Sequence, residues 1–372
     1  MTARLPFLSV IVPAHQAAGF LPQSLAALRA SDLPADGFEL IVVDDASTDR
    51  TALVAAKFAD TVVRLAGNRH GPAYARNRGA EASHGEILVF LDADVCAHRD
   101  TLRRFAELFG TNPGISAAFG SYDARPSGPG VVSQYRNLLH HFTHQSNAGE
   151  AETFWAGCGA ARRDVFLTLG GFDEWHYVRP QIEDIELGRR LRLDGHRILL
   201  DPTIQSTHLK VWTLRDVLKT DLTGRGVPWI WLTIAEGRGA STTLNLRGVQ
   251  RWCTALAWAA ALCAGISLVW PTGLVRLASA AAAVLVLLLN GGFYRFLLRE
   301  RGVPFILAVL PLHILHHLSN GVSVFSGWVM HVLFGEPQPP PAAAALAGIG
   351  FKVWPPAPSR PRTGIWSRRK TG

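Results

Sequence analysis

Two carboxylates stand two residues apart at Asp92-Ala93-Asp94, directly after the apolar run Ile87 to Leu91. A run of that length suits a strand buried on both faces. The pair at its end is harder to place, since two like charges a few ångströms apart raise each other's pKa. A divalent cation removes that penalty, and oxygen ligands of this kind suit Mg²⁺ or Mn²⁺ completed by phosphate oxygens and water. The residues therefore predict a metal held by Asp92 and Asp94 against a phosphate-bearing ligand. The competing reading is a solvated strand end.

Other candidates fall at similar points. Asp44-Asp45 closes the run Phe38 to Val43 and either starts a turn or accepts hydrogen bonds from a base or ribose. Arg76 and Arg78 are surface charges on a helix or a fork of donors for a diphosphate. Glu183-Asp184 begins a helix, where the dipole favours acids, and offers a general base if a diphosphate site lies nearby. His208, alone in its stretch, reads first as structural and second as a further metal ligand. His313, His316 and His317 lie in a long apolar run, where polar groups are either functional or packed.

Strands and helices alternate through the first third of the chain. Leu8 to Val12, Phe38 to Val43, Thr61 to Leu65 and Ile87 to Leu91 read as strands, with helical spacing between them. That order predicts an α/β domain with a mostly parallel sheet flanked by helices. Ligands of such sheets sit beyond the carboxyl ends of the strands, where Pro13-Ala14, Asp44-Asp45 and Asp92-Ala93-Asp94 all fall. Residues 120–150 carry glycines, prolines and three histidines and read as a loop with some helix. A helix starting near Glu183 stops at Gly195, and a strand follows over Arg197 to Leu200.

The second part of the chain differs in character. The 372 residues carry a net charge of +8 with 48% hydrophobic residues, and the apolar excess lies after Arg251. This points to a membrane and, with no basic groove interleaved with aromatics, away from nucleic acid. Residues 211–250 read as amphipathic helices, either on the membrane surface or packed on the sheet domain. Residues 251–335 read as transmembrane helices: spans at Trp252 to Trp270 and Leu274 to Phe293, then a basic loop of Arg295, Arg299 and Arg301. Val303 to Phe334 is too long for one ideal span and reads as one tilted helix or a hairpin, interrupted at Pro311 and Asn320-Gly321. The basic loop predicts a cytoplasmic side for the catalytic domain, in a plasma or inner membrane. Residues 336–372 form a proline-rich tail with a basic end, expected to be disordered, and that basic end favours the hairpin. The stretch after Arg4 reads as a first strand rather than a cleaved signal. The four cysteines have no metal or disulfide spacing and fit a reducing compartment. Dinucleotide, P-loop and hydrolase-elbow motifs do not occur.

Taken in order, LSVIVPAHQAAGFLPQSLAAL, ELIVVDDASTDRT, GPAYARNRGAEASHGEILVFLDADV, FWAGCGAARRDVFLTLGGFDE and IEDIELGRRLRLDGHRILLDP resemble the family 2 glycosyltransferases of the GT-A fold. They span roughly residues 6 to 210, the expected catalytic domain (1–210). The resemblance implies a nucleotide-diphosphate-sugar donor, a divalent metal and inverting transfer. By position, Pro13, Ala14, Asp44 and Asp45 would hold the nucleoside and Arg76 would lie near the diphosphate. Asp92 would contact ribose or metal and Asp94 would ligate the metal. Asp184 would be the catalytic base, with Glu183 placing the acceptor and Trp155 and Gly157 lining the sugar side. Ala46 stands where many members carry glycine, a change expected to be harmless. Processive members carry Gln-x-x-Arg-Trp after the base; here only Arg225-Gly226-Val227-Pro228-Trp229 is found, which favours adding one sugar to a lipid-linked or glycan acceptor. A processive synthase and a non-enzymatic nucleotide-sugar-binding scaffold are the alternatives.

Overall fold

A computed structural model describes residues 4–235 and 248–335. The tail expected at 336–372 lies outside the described residues. The strands are β1 (Leu8–Ala14), β2 (Phe38–Asp44), β3 (Thr61–Arg64), β4 (Ile87–Leu91), β5 (Val95–Ala97), β6 (Ala117–Tyr122), β7 (Gly149–Ala151), β8 (Cys158–Arg162) and β9 (Ile198–His208). Helices α1 (Leu21–Arg29), α2 (Thr51–Ala55), α3 (Pro72–Glu81), α4 (Thr101–Thr111), α5 (Val131–Gln145), α6 (Arg163–Thr168) and α7 (Glu183–Leu193) flank them. After β9 come α8 (Leu214–Lys219), a wide π-type turn over Thr220–Gly226 and α9 (Val227–Ala235). Helices α10 (Gly248–Val269), α11 (Gly273–Leu289), α12 (Gly291–Arg301) and α13 (Val303–Phe334) complete the described chain.

The strands form one sheet in the order β3-β2-β1-β4-β8-β6-β9-β5, with β7 on β9. The β3-β2-β1-β4 half is parallel, as its alternation with helices predicts. The other half is mixed, because β8 runs antiparallel between β4 and β6. β4 is buried on both faces between β1 and β8, which explains its unbroken apolar run. Its Phe90 meets Phe154, Phe166 and Phe172 at 5.1–6.4 Å between ring centroids. Each such pair adds about 0.5–1.5 kcal/mol beyond its area. Ala14 of β1 registers with Asp44 of β2, and β4 lies on the other side of β1. The parallel register thus delivers Pro13-Ala14, Asp44-Asp45 and Asp92 to one edge.

The helices sharpen three expectations. The stretch read as a loop with some helix at 120–150 holds α5, whose periodic Tyr135, Leu138 and Phe142 pack on Phe293, Leu297 and Val309. The basic loop at 295–301 is helical: α11 and α12 meet at a 63° bend, and Arg301 reaches back to Gln134 Oε1 (2.8 Å) and the Ala124 carbonyl (3.0 Å). The run from Val303 is a single helix of 32 residues, which removes the hairpin. Gly321 does not break it. A Cβ there would collide with the Trp258 indole, so this glycine sets the close approach of α13 to α10, and Trp258 Nε1 donates to the Leu318 carbonyl at 3.1 Å.

By length and composition α10 and α13 can each cross a membrane, and α11 with α12 would be a third span if the bent pair counts as one. Packing distinguishes them. The far ends of α10 and α11 project with Leu268, Val269, Trp270 and Leu274 71–88% exposed. α13 instead stays on the sheet domain, on α5 near Val309 and on the π-type turn and α9 near Ser323 and Gly327.

Candidate active site

The carboxylates at the sheet edge are less free than their sequence positions suggest. Asp45 accepts from the backbone N–H of His70 and of Gly71, both at 2.8 Å, and so fastens the turn that opens α3. Gly71 has φ +98°, and a Cβ there would lie 2.5 Å from the Val178 carbonyl oxygen, so only glycine fits. Asp44 is buried and accepts from Ser47 N–H at 3.2 Å. Pro13 and Ala14 end β1, where the Ala14 carbonyl accepts from Asp45 N–H. Between these loops Gln16 and Ala46 hold φ values of +51° and +52°. Ala46 thus pays a left-handed penalty of about 1–2 kcal/mol that glycine would not. The replacement expected to be harmless carries strain.

Arg76 is buried and joins two acids. One terminal nitrogen donates to Asp92 Oδ1 at 2.7 Å and the other to Glu183 Oε1 at 2.9 Å. Glu183 also accepts from Gln181 N–H at 2.9 Å, so its carboxylate is fully engaged at the start of α7. Arg78 points away, to Glu174 and Glu81. Burial raises the Asp92 carboxyl above its ordinary range, partly offset by Arg76 and reinforced by Asp94.

Asp94 meets a residue from the other end of the domain. The antiparallel register of β5 on β9 pairs Val95 with His208, which puts His208 Nε2 3.5 Å from Asp94 Oδ2. His208 Nδ1 lies 2.7 Å from Asn137 Oδ1, and the Asn137 amide nitrogen donates to the Ser133 carbonyl. Nδ1 must therefore carry the hydrogen, so Nε2 turns either a lone pair or a second proton toward Asp94. Burial alone would raise the Asp94 carboxyl, but the hydrogen bond and charge of His208, with Lys210, hold it below the carboxylate range. Among the described residues no three acidic, histidine or cysteine side chains close around one point. Asp92 is drawn to Arg76, leaving Asp94 and His208 adjacent. Two protein ligands plus diphosphate oxygens and water are what Mg²⁺ or Mn²⁺ usually accept, so the donor set fits.

Asp184 lies on the far side of Glu183. Its Oδ2 accepts from Ala156 N–H at 3.2 Å and its Oδ1 from Ile185 N–H at 2.8 Å. Burial and the neighbouring Glu183 push its carboxyl up to about 6 against the charges of Arg225 and Arg76. Trp155 is buried against Tyr122, His140 and His144. Its ring folds over Gly157, where a Cβ would lie 2.5 Å from the indole, and the Gly157 carbonyl accepts from Asp92 N–H.

Asp184 and Trp155 also line a cavity of about 790 Å³ between the sheet domain and α9, α10 and α13. Two of its residues, Arg136 and Asp221, did not stand out in the sequence. Arg136 of α5 holds Asp221 of the π-type turn at 2.6 Å, and His316 of α13 approaches the same carboxylate at 3.6 Å. Arg136 and His316 hold the Asp221 carboxyl down to about 2 despite its burial. Arg225, two residues before the start of α9, whose Trp229 and Leu232 pack inward, follows on the same turn. The wide turn was a usable signal only through Gly226, where a Cβ would strike Ser323 Oγ and the Asp221 carbonyl. Such turns are rare and concentrate at functional sites.

Residues 9–170 match the family described as Glycosyl transferase family 2. Among curated relatives, glycosyltransferase AglE of Haloferax volcanii is 33% identical over 146 residues, covering 38% of this chain and 47% of its own. Poly(ribitol-phosphate) beta-N-acetylglucosaminyltransferase TarS of Staphylococcus aureus is 34% identical over 99 residues, covering 26% and 17%. The chain thus spans about half of one of these relatives and less than a fifth of the other. A mannosyltransferase from Pyrobaculum calidifontis, solved with GDP-Man and Mn²⁺, superposes with a TM-score of 0.52 at 18% identity over 88% of both chains. Over residues 9–170 the chain is similar to glycosyl transferase family 2, and the sheet domain that contains those residues has the GT-A-type fold.

Proposed function

We propose that this chain is a membrane-bound inverting glycosyltransferase. It would move a single hexosyl unit from a nucleotide-diphosphate sugar to a lipid-linked or glycan acceptor at the cytoplasmic face. The observation that carries this is the position of Asp184: a carboxylate held by Ala156 N–H, lining the cavity at the side of the sheet edge that holds Asp92 and Asp94. The projecting α10–α11 hairpin is the element proposed to enter the bilayer. Arg301, bound to the catalytic domain, supports placing that domain on the cytoplasmic side.

In this mechanism the β1 and β2 ends, with Pro13, Ala14, Asp44 and Asp45, form the floor for the nucleoside. Asp94 would hold the divalent ion with His208 and, through its free oxygen, Asp92. Bound there, Mg²⁺ or Mn²⁺ would stabilise charge on the departing diphosphate. Arg76 fixes the orientation of Asp92 and Glu183 rather than reaching for phosphate. Asp184 takes the proton of the acceptor hydroxyl, whose oxygen bonds the anomeric carbon. The bond to the nucleoside diphosphate breaks on the opposite face, its electron pair leaving on the diphosphate, and one displacement inverts the configuration. Trp155 and Gly157 shape the sugar side.

Thermal-shift titration of the full chain in detergent with GDP-mannose, UDP-glucose and UDP-N-acetylglucosamine tests the donor half. One of them should raise Tm with Mn²⁺ and not with a chelator, since binding to the folded state stabilises it. Asp94→Ala should lose that shift. No stabilisation by any donor, or an undiminished shift in Asp94→Ala, would contradict the proposal.

A further inference from the structure

The sheet edge that holds Asp44, Asp45, Asp92 and Asp94 is rich in acid, and a donor diphosphate would bring more negative charge to it. The arginines around that edge are already committed. Arg76 donates to Asp92 and Glu183, Arg78 to Glu174, and Arg64 lies 4.0 Å from Asp44. Lys210 differs. It follows His208 by two residues, and the Leu209 N–H between them donates to the Asp94 carbonyl at 2.8 Å. The chain thus stays paired beside Asp94 past the end of β9, and two-residue alternation turns His208 and Lys210 the same way. Trp212 lies against both. Its ring is 6.2 Å from the His208 ring, and Lys210 Nζ stands 3.9 Å from its centroid. A cation over an indole face is held there without losing its charge. Lys210 is half-buried and, among the described residues, forms no ion pair. Its charge reaches Asp94, and also Asp216, whose carboxylate is already bound by the Thr213 hydroxyl at 2.6 Å.

We propose that Lys210 is the cation that meets the donor diphosphate and takes up the charge that grows on it as the sugar departs. The proposal rests on the transferase reading above and assigns one further residue to it. When the bond from the anomeric carbon to the diphosphate breaks, its electron pair stays on the phosphate oxygen. Negative charge then rises beside Asp94 and His208. A lysine suits that task, because its ammonium is a compact charge on a flexible stem, with three donors and no fixed fork. Held over Trp212, it needs little rearrangement as the charge develops. Arg76 cannot do the same while both its terminal nitrogens are tied to carboxylates. The competing reading is that Lys210 only packs on Trp212, and the two differ in how the protein responds to phosphate charge.

The test uses the full chain in detergent with Mn²⁺. The ligands are whichever of GDP-mannose, UDP-glucose and UDP-N-acetylglucosamine stabilises it, and the matching GDP or UDP. In the donor each phosphate carries one charge. In the free diphosphate the terminal phosphate ionises a second time, with a pKa of about 6, so the product is the more negative ligand. Lys210→Met should therefore weaken GDP or UDP by about tenfold or more and the donor by about threefold or less, measured by calorimetry. Lys210→Arg, which keeps the charge, should hold both within about threefold. The thermal transition of each variant, taken alongside, reports that it is folded, and Lys210→Gln replaces Lys210→Met if that variant is not. Equal losses for donor and nucleoside diphosphate, or a diphosphate affinity unmoved by the neutral variant, would overturn the proposal while leaving the transferase reading standing. Failure of all three donors to bind the parent chain would instead remove the reading beneath it.

Discussion

At the edge of the parallel half of the sheet, Asp44 and Asp45 are held by backbone N–H groups of their own domain. At the polar end of the cavity, by contrast, Arg136, Asp221 and His316 come from α5, the π-type turn and α13. The first arrangement is local and rigid, built by parallel register and tight loops. The second exists only when the C-terminal helices are docked. The proposed donor side is therefore a property of the sheet, and the proposed acceptor side is a property of the contact between two regions. That contact fits a protein whose second substrate comes from a membrane.

The comparison can be broken most sharply at Asp221. Asp221→Asn leaves Arg136 half-buried without its anion, and breaking such a pair costs about 3 kcal/mol. Thermal unfolding of Asp221→Asn should begin with the contact of α13 with α5 and the π-type turn, seen as an early loss of protection in α13 by hydrogen exchange, while α3 and β4 stay protected. The pair's contribution is present at all pH values above the ordinary carboxylate range. It is lost only as pH falls toward about 2, where the Asp221 carboxyl protonates. Uniform loosening of both regions would mean that they are not separable.

A second difference is in titration. Asp184 is raised to about 6, so a base there is protonated and inactive below that pH. The acid limb of kcat/KM should bend near 6 and then fall about tenfold per pH unit. Donor affinity should not follow the same bend. A limb near 4 would place Asp184 outside the proton transfer.

The smallest effect belongs to the donor side. Ala46→Gly removes the left-handed penalty at φ +52° and gives back some chain entropy, for a net gain of about 0.5–1 kcal/mol. Denaturant unfolding of the full chain, followed at the sheet domain, would register it. A loss of stability would mean that the strain is relieved elsewhere.

The donor side was also the legible one. Strand periodicity located β1, β2 and β4 to within a residue or two, and parallel topology then forced their carboxylates together. The sequence could not reveal that Asp45 is spent on His70 and Gly71 or that Arg76 ties Asp92 to Glu183, because those partners are set by loop geometry. His208 met Asp94 only through the β5–β9 register, more than a hundred residues away. On the acceptor side, glycines and prolines before Gly130 hid α5. Gly321 looked like a break because its packing partner, Trp258, lies on another helix. Arg225 was noticed only as a fragment of an incomplete motif, since nothing local marks a residue whose role depends on a docked helix.

The most direct test of the account is Asp184→Asn in the full chain, with donor affinity and sugar transfer measured on the same sample. An amide oxygen can still accept from Ala156 N–H, so the fold and the donor side should hold. The account predicts unchanged donor affinity and transfer lowered by about 10²–10⁴-fold. Transfer within a few-fold of the parent protein, or donor affinity lost together with transfer, would contradict it.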